Sequence, residues 1–318
     1  MRIALDVMGG DKAPQVVVEG AVTVAQEDGD EIILVGPRDT VEAELARLKV
    51  KGLPLSVVHA SQVVGMDESP TAAIRQKRDS SIGVGLALVK LGKAEAFVSA
   101  GNSGAIMAAA FFVLGTTPGI ERPALGAIFR VASGMAIMLD VGANADVQPS
   151  FMVQFGQMGS DYMERVYGIK GPRVALLNIG EEETKGNQLT LRAHALLKES
   201  RLNFIGNIEG KDLFRGPADV VVTDGFAGNI VVKVSEGLGE TIFEKVRDAI
   251  GRGFISRMGA LLVMPALREV ARWMDYTEYG GAPLLGVNGV VIIGHGRSNA
   301  KAIASALRQA KRMAEQGT

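Results

Sequence analysis

Short apolar runs alternate with longer amphipathic stretches almost from one end of the chain to the other. The runs at 3–7, 31–35, 55–59, 96–99, 125–129, 136–141, 174–178, 204–208, 220–223 and 290–293 predict β-strands. Several are near-continuous Val, Ile, Leu and Ala, the pattern of strands buried on both faces of a mostly parallel sheet. The stretches between them carry helix starts. Ser69-Pro70 puts a capping residue ahead of a proline at the first helical position of a helix over 71–78. Pro37 and Pro149 open helices over 38–49 and 150–167 in a similar way. The alternation predicts the α/β class, a three-layer α/β/α sandwich. No break in composition, repeat or low-complexity segment divides it, so 1–318 reads as a single domain.

The segments just past the strands are more telling. Reading each strand into its exit gives Asp6-Val7-Met8-Gly9-Gly10-Asp11, Ser99-Ala100-Gly101-Asn102-Ser103-Gly104 and Asp140-Val141-Gly142-Ala143-Asn144-Ala145-Asp146. Asn178-Ile179-Gly180 leads on through Glu181-Glu182-Glu183-Thr184-Lys185-Gly186-Asn187. Thr223-Asp224-Gly225-Phe226-Ala227-Gly228-Asn229 and Gly294-His295-Gly296-Arg297-Ser298-Asn299 complete the set. Gly, Asn and Asp are ordinary turn residues. Six such loops at strand exits, each leading into a helix, point to a ligand crevice at the carboxyl ends of the strands. Helix N-termini there offer free N–H groups to an anion.

Composition narrows the chemistry. Forty glycines in 318 residues are nearly double the usual roughly 7%. The absence of cysteine excludes disulfides, thiolate nucleophiles and Cys-ligated metals. Only His59, His194 and His295 are present, which leaves little room for a His-built metal centre. A net charge of −1 argues against a nucleic-acid partner. The uniformly apolar part of the longest uncharged stretch, 105–114, is far short of the about 20 residues of a spanning helix. With Met1-Arg2 running directly into a strand, the reading is a cytoplasmic protein. No nucleotide signature fits: there is no Gly-x-x-x-x-Gly-Lys-Ser/Thr, and Gly83-Val84-Gly85-Leu86-Ala87-Leu88 lacks the third glycine of a dinucleotide fingerprint.

Candidate roles can still be assigned. Gly101-Asn102-Ser103-Gly104-Ala105 is not a Gly-x-Ser-x-Gly elbow, so Asn102 and Ser103 read as anion ligands or as helix caps. Lys185, beside three glutamates, either pairs with Glu181 or Glu182 in solvent or holds a phosphate or oxyanion. Asn229 either donates to a carbonyl or caps a helix, and His295 either protonates a leaving group or holds a loop. Over 245–272 six basic residues (Lys245, Arg247, Arg252, Arg257, Arg268, Arg272) face two acidic ones, Asp248 and Glu269. They flank the apolar Leu261-Leu262-Val263-Met264. This element around 245–275 is either a core or dimer helix or an interfacial one touching anionic lipid or an acidic partner.

Together these blocks resemble the bacterial phosphate acyltransferase (PlsX) family of phospholipid synthesis. Ile3-Ala4-Leu5-Asp6-Val7-Met8-Gly9-Gly10-Asp11 with Pro14 matches its start, and the loop blocks above succeed it in order with Gly280-Gly281-Ala282-Pro283-Leu284-Leu285-Gly286 and Gly294-His295-Gly296. Lys12 stands where many members have His. The resemblance implies transfer of a fatty acyl group from acyl carrier protein to inorganic phosphate. It also implies an isocitrate/isopropylmalate dehydrogenase-like fold, a homodimer, no metal or nucleotide cofactor, and a peripheral contact with the membrane and its downstream acyltransferase. On that reading Lys185, Asn229, Asp224 and His295 are the catalytic candidates. Gly9, Gly10, Asp11, Asn102, Ser103, Gly104, Asn144, Asn187 and Gly228 would bind phosphate and thioester. A phosphotransacetylase-like enzyme using acyl-CoA, and a non-catalytic carrier- or lipid-binding protein, are the open alternatives.

Overall fold

The structure, a computed structural model, describes residues 1–251 and 280–317 together with Val263 and Val270. The candidate contacts Arg252, Arg257, Leu261, Leu262, Arg268 and Arg272 lie outside the described residues.

Nine helices and eleven strands are described. The chain begins β1 (Arg2–Asp6), α1 (Gln15–Glu27), β2 (Glu31–Gly36), α2 (Arg38–Arg47), β3 (Leu55–His59), α3 (Pro70–Gln76) and α4 (Ser81–Lys90). It continues β4 (Ala96–Ser99), α5 (Ser103–Leu114), β5 (Ala124–Val131), β6 (Gly134–Leu139), α6 (Pro149–Tyr167) and β7 (Arg173–Asn178). Next come α7 (Gln188–Glu199), β8 (Asn203–Glu209), a 3₁₀ turn (Gly210–Arg215), β9 (Val220–Val222), α8 (Gly225–Gly251), β10 (Ala282–Leu285), β11 (Val290–Ile293) and α9 (Ala300–Gln316).

All eleven strands share one sheet in the order β3-β2-β1-β4-β11-β10-β5-β6-β9-β7-β8. Their apolar runs are buried from both sides. Val17 and Val18 of α1, Met152 and Phe155 of α6 and Ile303 of α9 pack on one face. Ile82 and Leu86 of α4, Ile106 and Ala110 of α5 and Val231 of α8 pack on the other.

The expectation of a mostly parallel, isocitrate/isopropylmalate dehydrogenase-like sheet is corrected, because the sheet is mixed. Strand β10 is antiparallel to both β11 and β5, and β5 is antiparallel to β6. The cause is local. Only Ala132 and Ser133 separate β5 from β6, and a parallel crossover needs a dozen residues or more. The three reversals turn the second half of the sheet over. β1, β4 and β11 run one way, while β6, β9 and β7 run parallel to one another in the opposite sense.

Candidate functional site

Because of that reversal, the six strand exits do not form one crevice. They sort into two groups at opposite ends of the strands.

The first group gathers the exits of β1, β4 and β11. The Asp6 carboxylate, fully buried, accepts from Ser99 Oγ (2.7 Å) and from the Met8 N–H (3.0 Å), while Ser99 Oγ accepts from the Gly101 N–H (3.1 Å). Burial pushes the Asp6 carboxyl up, and the hydroxyls of Ser81 and Ser99 and the Met8 N–H pull it back. Gly9 fits into this knot because a Cβ there would lie 2.6 Å from the Gly101 nitrogen and 2.8 Å from Asp6 Oδ2. Gly10 has φ +110°, and the Asp11 N–H donates to the Gly296 carbonyl (2.8 Å). Asn102 caps α5, its Oδ1 accepting from the Ala105 N–H (3.0 Å). Its amide donates to the carbonyls of Met66 and Glu68 (2.9 Å each) and Gly65 (3.3 Å). That leaves no amide hydrogen for an anion, so the cap, of its two readings, is the one realised. Gly104 packs on Pro70. Among the described residues, the N–H groups of Ser103 and Gly104, the first two of α5, are without partners.

The second group gathers the exits of β6, β7 and β9 around Asp140. Its wholly buried carboxylate accepts from the N–H groups of Leu125 (3.0 Å), Gly142 (3.2 Å), Ala143 (3.0 Å) and Asn144 (2.6 Å), and from Asn144 Nδ2 (3.0 Å). Burial pushes this carboxyl up and the donors oppose the shift. The Asn144 carbonyl in turn accepts from the Gly225 N–H (2.9 Å), fixing the start of α8. Gly228 has no substitute there: a Cβ would stand 2.0 Å from the Asp140 carbonyl oxygen. Asp224 caps the same helix by accepting from the Ala227 N–H (2.8 Å). Asn187 caps α7 reciprocally with Thr190. Lys185 is exposed, and its carbonyl accepts from Asn178 Nδ2 (3.0 Å). Among the described residues its ammonium makes no ion pair: Glu183 is engaged by Lys198 (2.7 Å) instead.

Helix α8 connects the two groups. It starts beside Asp140, and further along Glu236 faces His295 Nε2 (3.8 Å) and Glu240 pairs with Arg297 (3.2 Å). His295 Nδ1 accepts from the Arg297 N–H (3.1 Å), so the neutral ring carries its proton on Nε2. Partial burial pushes the His295 pKa below 6.5, against the pull of Glu236. Under α8 runs an apolar groove of about 1670 Å³ whose lining includes Ser103 and His295 from the first group and Asn229 and Val141 from the second. A smaller cleft of about 490 Å³ lies on the other side of the first turns of α8, lined by Asn178, Gly186, Asn187, Thr223 and Asp224. Val231 borders both. The structure therefore unites Ser103, Asn229 and His295 along one cavity, and puts Lys185 in the loop of the other.

Sequence reasoning passed over Asp6, Ser99 and Asp140 as site organisers. The available signal was an acidic or hydroxyl residue closing an apolar strand just before a glycine. Among the described residues no cluster of three or more His, Asp or Glu is placed to hold a metal. No helix among them is long and apolar enough to cross a membrane.

Comparison with known proteins bears on this geometry. A family model described as "Fatty acid synthesis protein" matches residues 1–318. The phosphate acyltransferase of Heliobacterium modesticaldum is 52% identical over 317 residues, covering 99% of this chain and 95% of that one. That of Citrifermentans bemidjiense is 51% identical, covering 100% and 90%. Among solved structures, a phosphotransacetylase from Streptococcus pyogenes superposes with a TM-score of 0.67 at 18% identity, covering 100% of this chain and 94% of that one. A branched-chain phosphotransacylase from Enterococcus faecalis V583 does so with 0.63 at 14%, covering 99% of each. These neighbours replace the expected isocitrate/isopropylmalate dehydrogenase-like fold with a phosphotransacetylase-like one, consistent with the mixed strand order. At about half the residues identical over nearly the full length, the chain belongs to the phosphate acyltransferase family.

Proposed function

We propose that this phosphate acyltransferase, which moves a fatty acyl group from acyl carrier protein to inorganic phosphate, does so by direct attack of phosphate on the thioester, with the two partners meeting across the first turns of α8. The observation that carries this reading is the convergence of Ser103, Asn229 and His295 on one groove. The thioester carbonyl sits at the Ser103 end, where the free N–H groups of Ser103 and Gly104 face the oxygen that becomes anionic. Phosphate enters from the smaller cleft past Val231, which borders both cavities, with the exposed Lys185 in the loop of that cleft. A phosphate oxygen bonds to the carbonyl carbon, and the C–S bond breaks as the tetrahedral intermediate collapses. The thiolate then takes a proton from water, while the neutral His295 ring offers it a hydrogen bond from Nε2–H. A thiol with a pKa of about 8.5 leaves readily, so little acid assistance is needed. Most of the acceleration comes from proximity and charge stabilisation, and no enzyme nucleophile is used.

The reading takes 1–318 as one catalytic unit working in the cytoplasm as a homodimer. The 245–275 element contacts the membrane surface and receives the acidic carrier protein. The exposed Lys245 and Arg247 at the end of α8 support that direction. The test is acyl phosphate trapped as hydroxamate, with acyl carrier protein compared against CoA donors. Hydroxamate formed from the carrier-protein donor and requiring phosphate is expected. Preference for the CoA donor would move the chain to the short-chain class, and no product from either would leave a binding protein.

A further inference from the structure

The apolar groove reaches far beyond the loops at its mouth. Its volume exceeds the roughly 300–1,000 Å³ of ordinary small-molecule pockets. It runs along α8 from Asn229 to Ile250, about 32 Å at about 1.5 Å per residue. Its floor is one face of β5, where Leu125, Ala127 and Phe129 alternate with residues of the opposite core. Phe129 stands about 13 Å along the strand from Leu125, and its ring meets Phe214 edge-on at 5.8 Å. On α8, Val234 and Leu238 line the groove yet remain 61% and 58% exposed. Its charged neighbours Lys211, Glu240 and Arg247 are exposed, which leaves the floor apolar and the rim polar.

We propose that this groove holds the fatty acyl chain of the donor and that Phe129 and Phe214 narrow it about 13 Å from Leu125, so that their bulk sets chain-length preference; the inference rests on the reaction assigned above. A chain bonded to the thioester carbon must continue into a cavity adjoining Ser103, Asn229 and His295. The smaller cleft, at about 490 Å³, has less than a third of the groove's volume. Beside Leu177 and Ile179 it would press methylenes against Asn178, Asn187, Thr223 and Asp224, stripping those polar groups of water. The groove offers aliphatic and aromatic surface, where each buried methylene is worth roughly 4-fold in affinity.

Two variants and one cross-link test this. Ala127→Phe raises the floor between Leu125 and Phe129, and Phe129→Ala removes half of the narrowing aromatic pair. With hydroxamate trapping, Ala127→Phe is expected to lower kcat/KM for a palmitoyl donor by about 10-fold or more while changing that for a butanoyl donor by less than about 3-fold. Phe129→Ala is expected to shift the preferred donor to longer chains. Equal losses at both lengths, or an unchanged length profile, would overturn the proposal. Independently of how the variants fold, the unaltered protein can be irradiated with carrier protein bearing a palmitoyl chain tipped with a diazirine. Cross-links within 127–130, 211–214 or 234–246 of the same protomer are expected. Cross-links confined to other segments or to a second copy would overturn the proposal. If the unaltered protein forms no acyl phosphate from any donor, the reaction assignment fails, and the cross-link still decides what the groove holds.

Discussion

At the scale of single residues, Lys185 and His295 show how neighbours select a role. Three glutamates precede Lys185, yet Glu183 is drawn to Lys198, and the Asn178 amide pins the Lys185 backbone. A cation so held and left uncompensated suits an anionic substrate. Lys185→Ala should lower phosphate-dependent turnover by about 10²-fold while leaving the unfolding midpoint unchanged, since the side chain is exposed. Near-wild-type rates would remove it from the site. For His295, desolvation disfavours the charged ring and outweighs Glu236. A titration of its imidazole resonances should have a midpoint below 6.5, so that the ring is neutral at pH 7 with its proton on Nε2. A midpoint above 6.5 would mean that the pull of Glu236 outweighs the burial of the ring.

At the scale of elements, much of the fold could be read from pattern alone. The strands at 55–59, 96–99 and 290–293 have the bounds their apolar runs mark, and the helix opened by Pro149 ends at Tyr167 as expected. Strand β10 was not legible, because Pro283 and flanking glycines read as a loop motif. Strand direction was not legible either. No local pattern tells whether an apolar run points up or down, so the six glycine-rich exits looked like one crevice. The six residues between the runs at 125–129 and 136–141, too few for a parallel crossover, were the clue to the reversal. Asn102 shows a candidate ligand whose valences are taken up by structure, tying the 65–68 segment to the start of α5. Asn102→Ala should cost about 1–2 kcal/mol through loss of the cap and its bonds, measured by urea unfolding. It should also lower turnover by freeing the Ser103 end of the groove. An unfolding midpoint equal to wild type would contradict this account of the α5 terminus.

At the scale of the whole molecule, the antiparallel centre of the sheet places two groups of loops at opposite strand ends, and α8 brings them to a common groove. That arrangement gives an amphipathic substrate two different surfaces: backbone N–H groups and a lysine for the reacting end, and an apolar channel for the chain. It also explains how a protein without cysteine can process a thioester, since the second substrate supplies the nucleophile. Direct attack by phosphate is the central claim, and rapid mixing of enzyme with excess acyl carrier protein donor tests it most directly by tracking free thiol. Without phosphate no thiol should appear, and with phosphate thiol and acyl hydroxamate should rise together in equal amounts. A burst of thiol stoichiometric with enzyme in the absence of phosphate would reveal an acyl-enzyme and contradict the account.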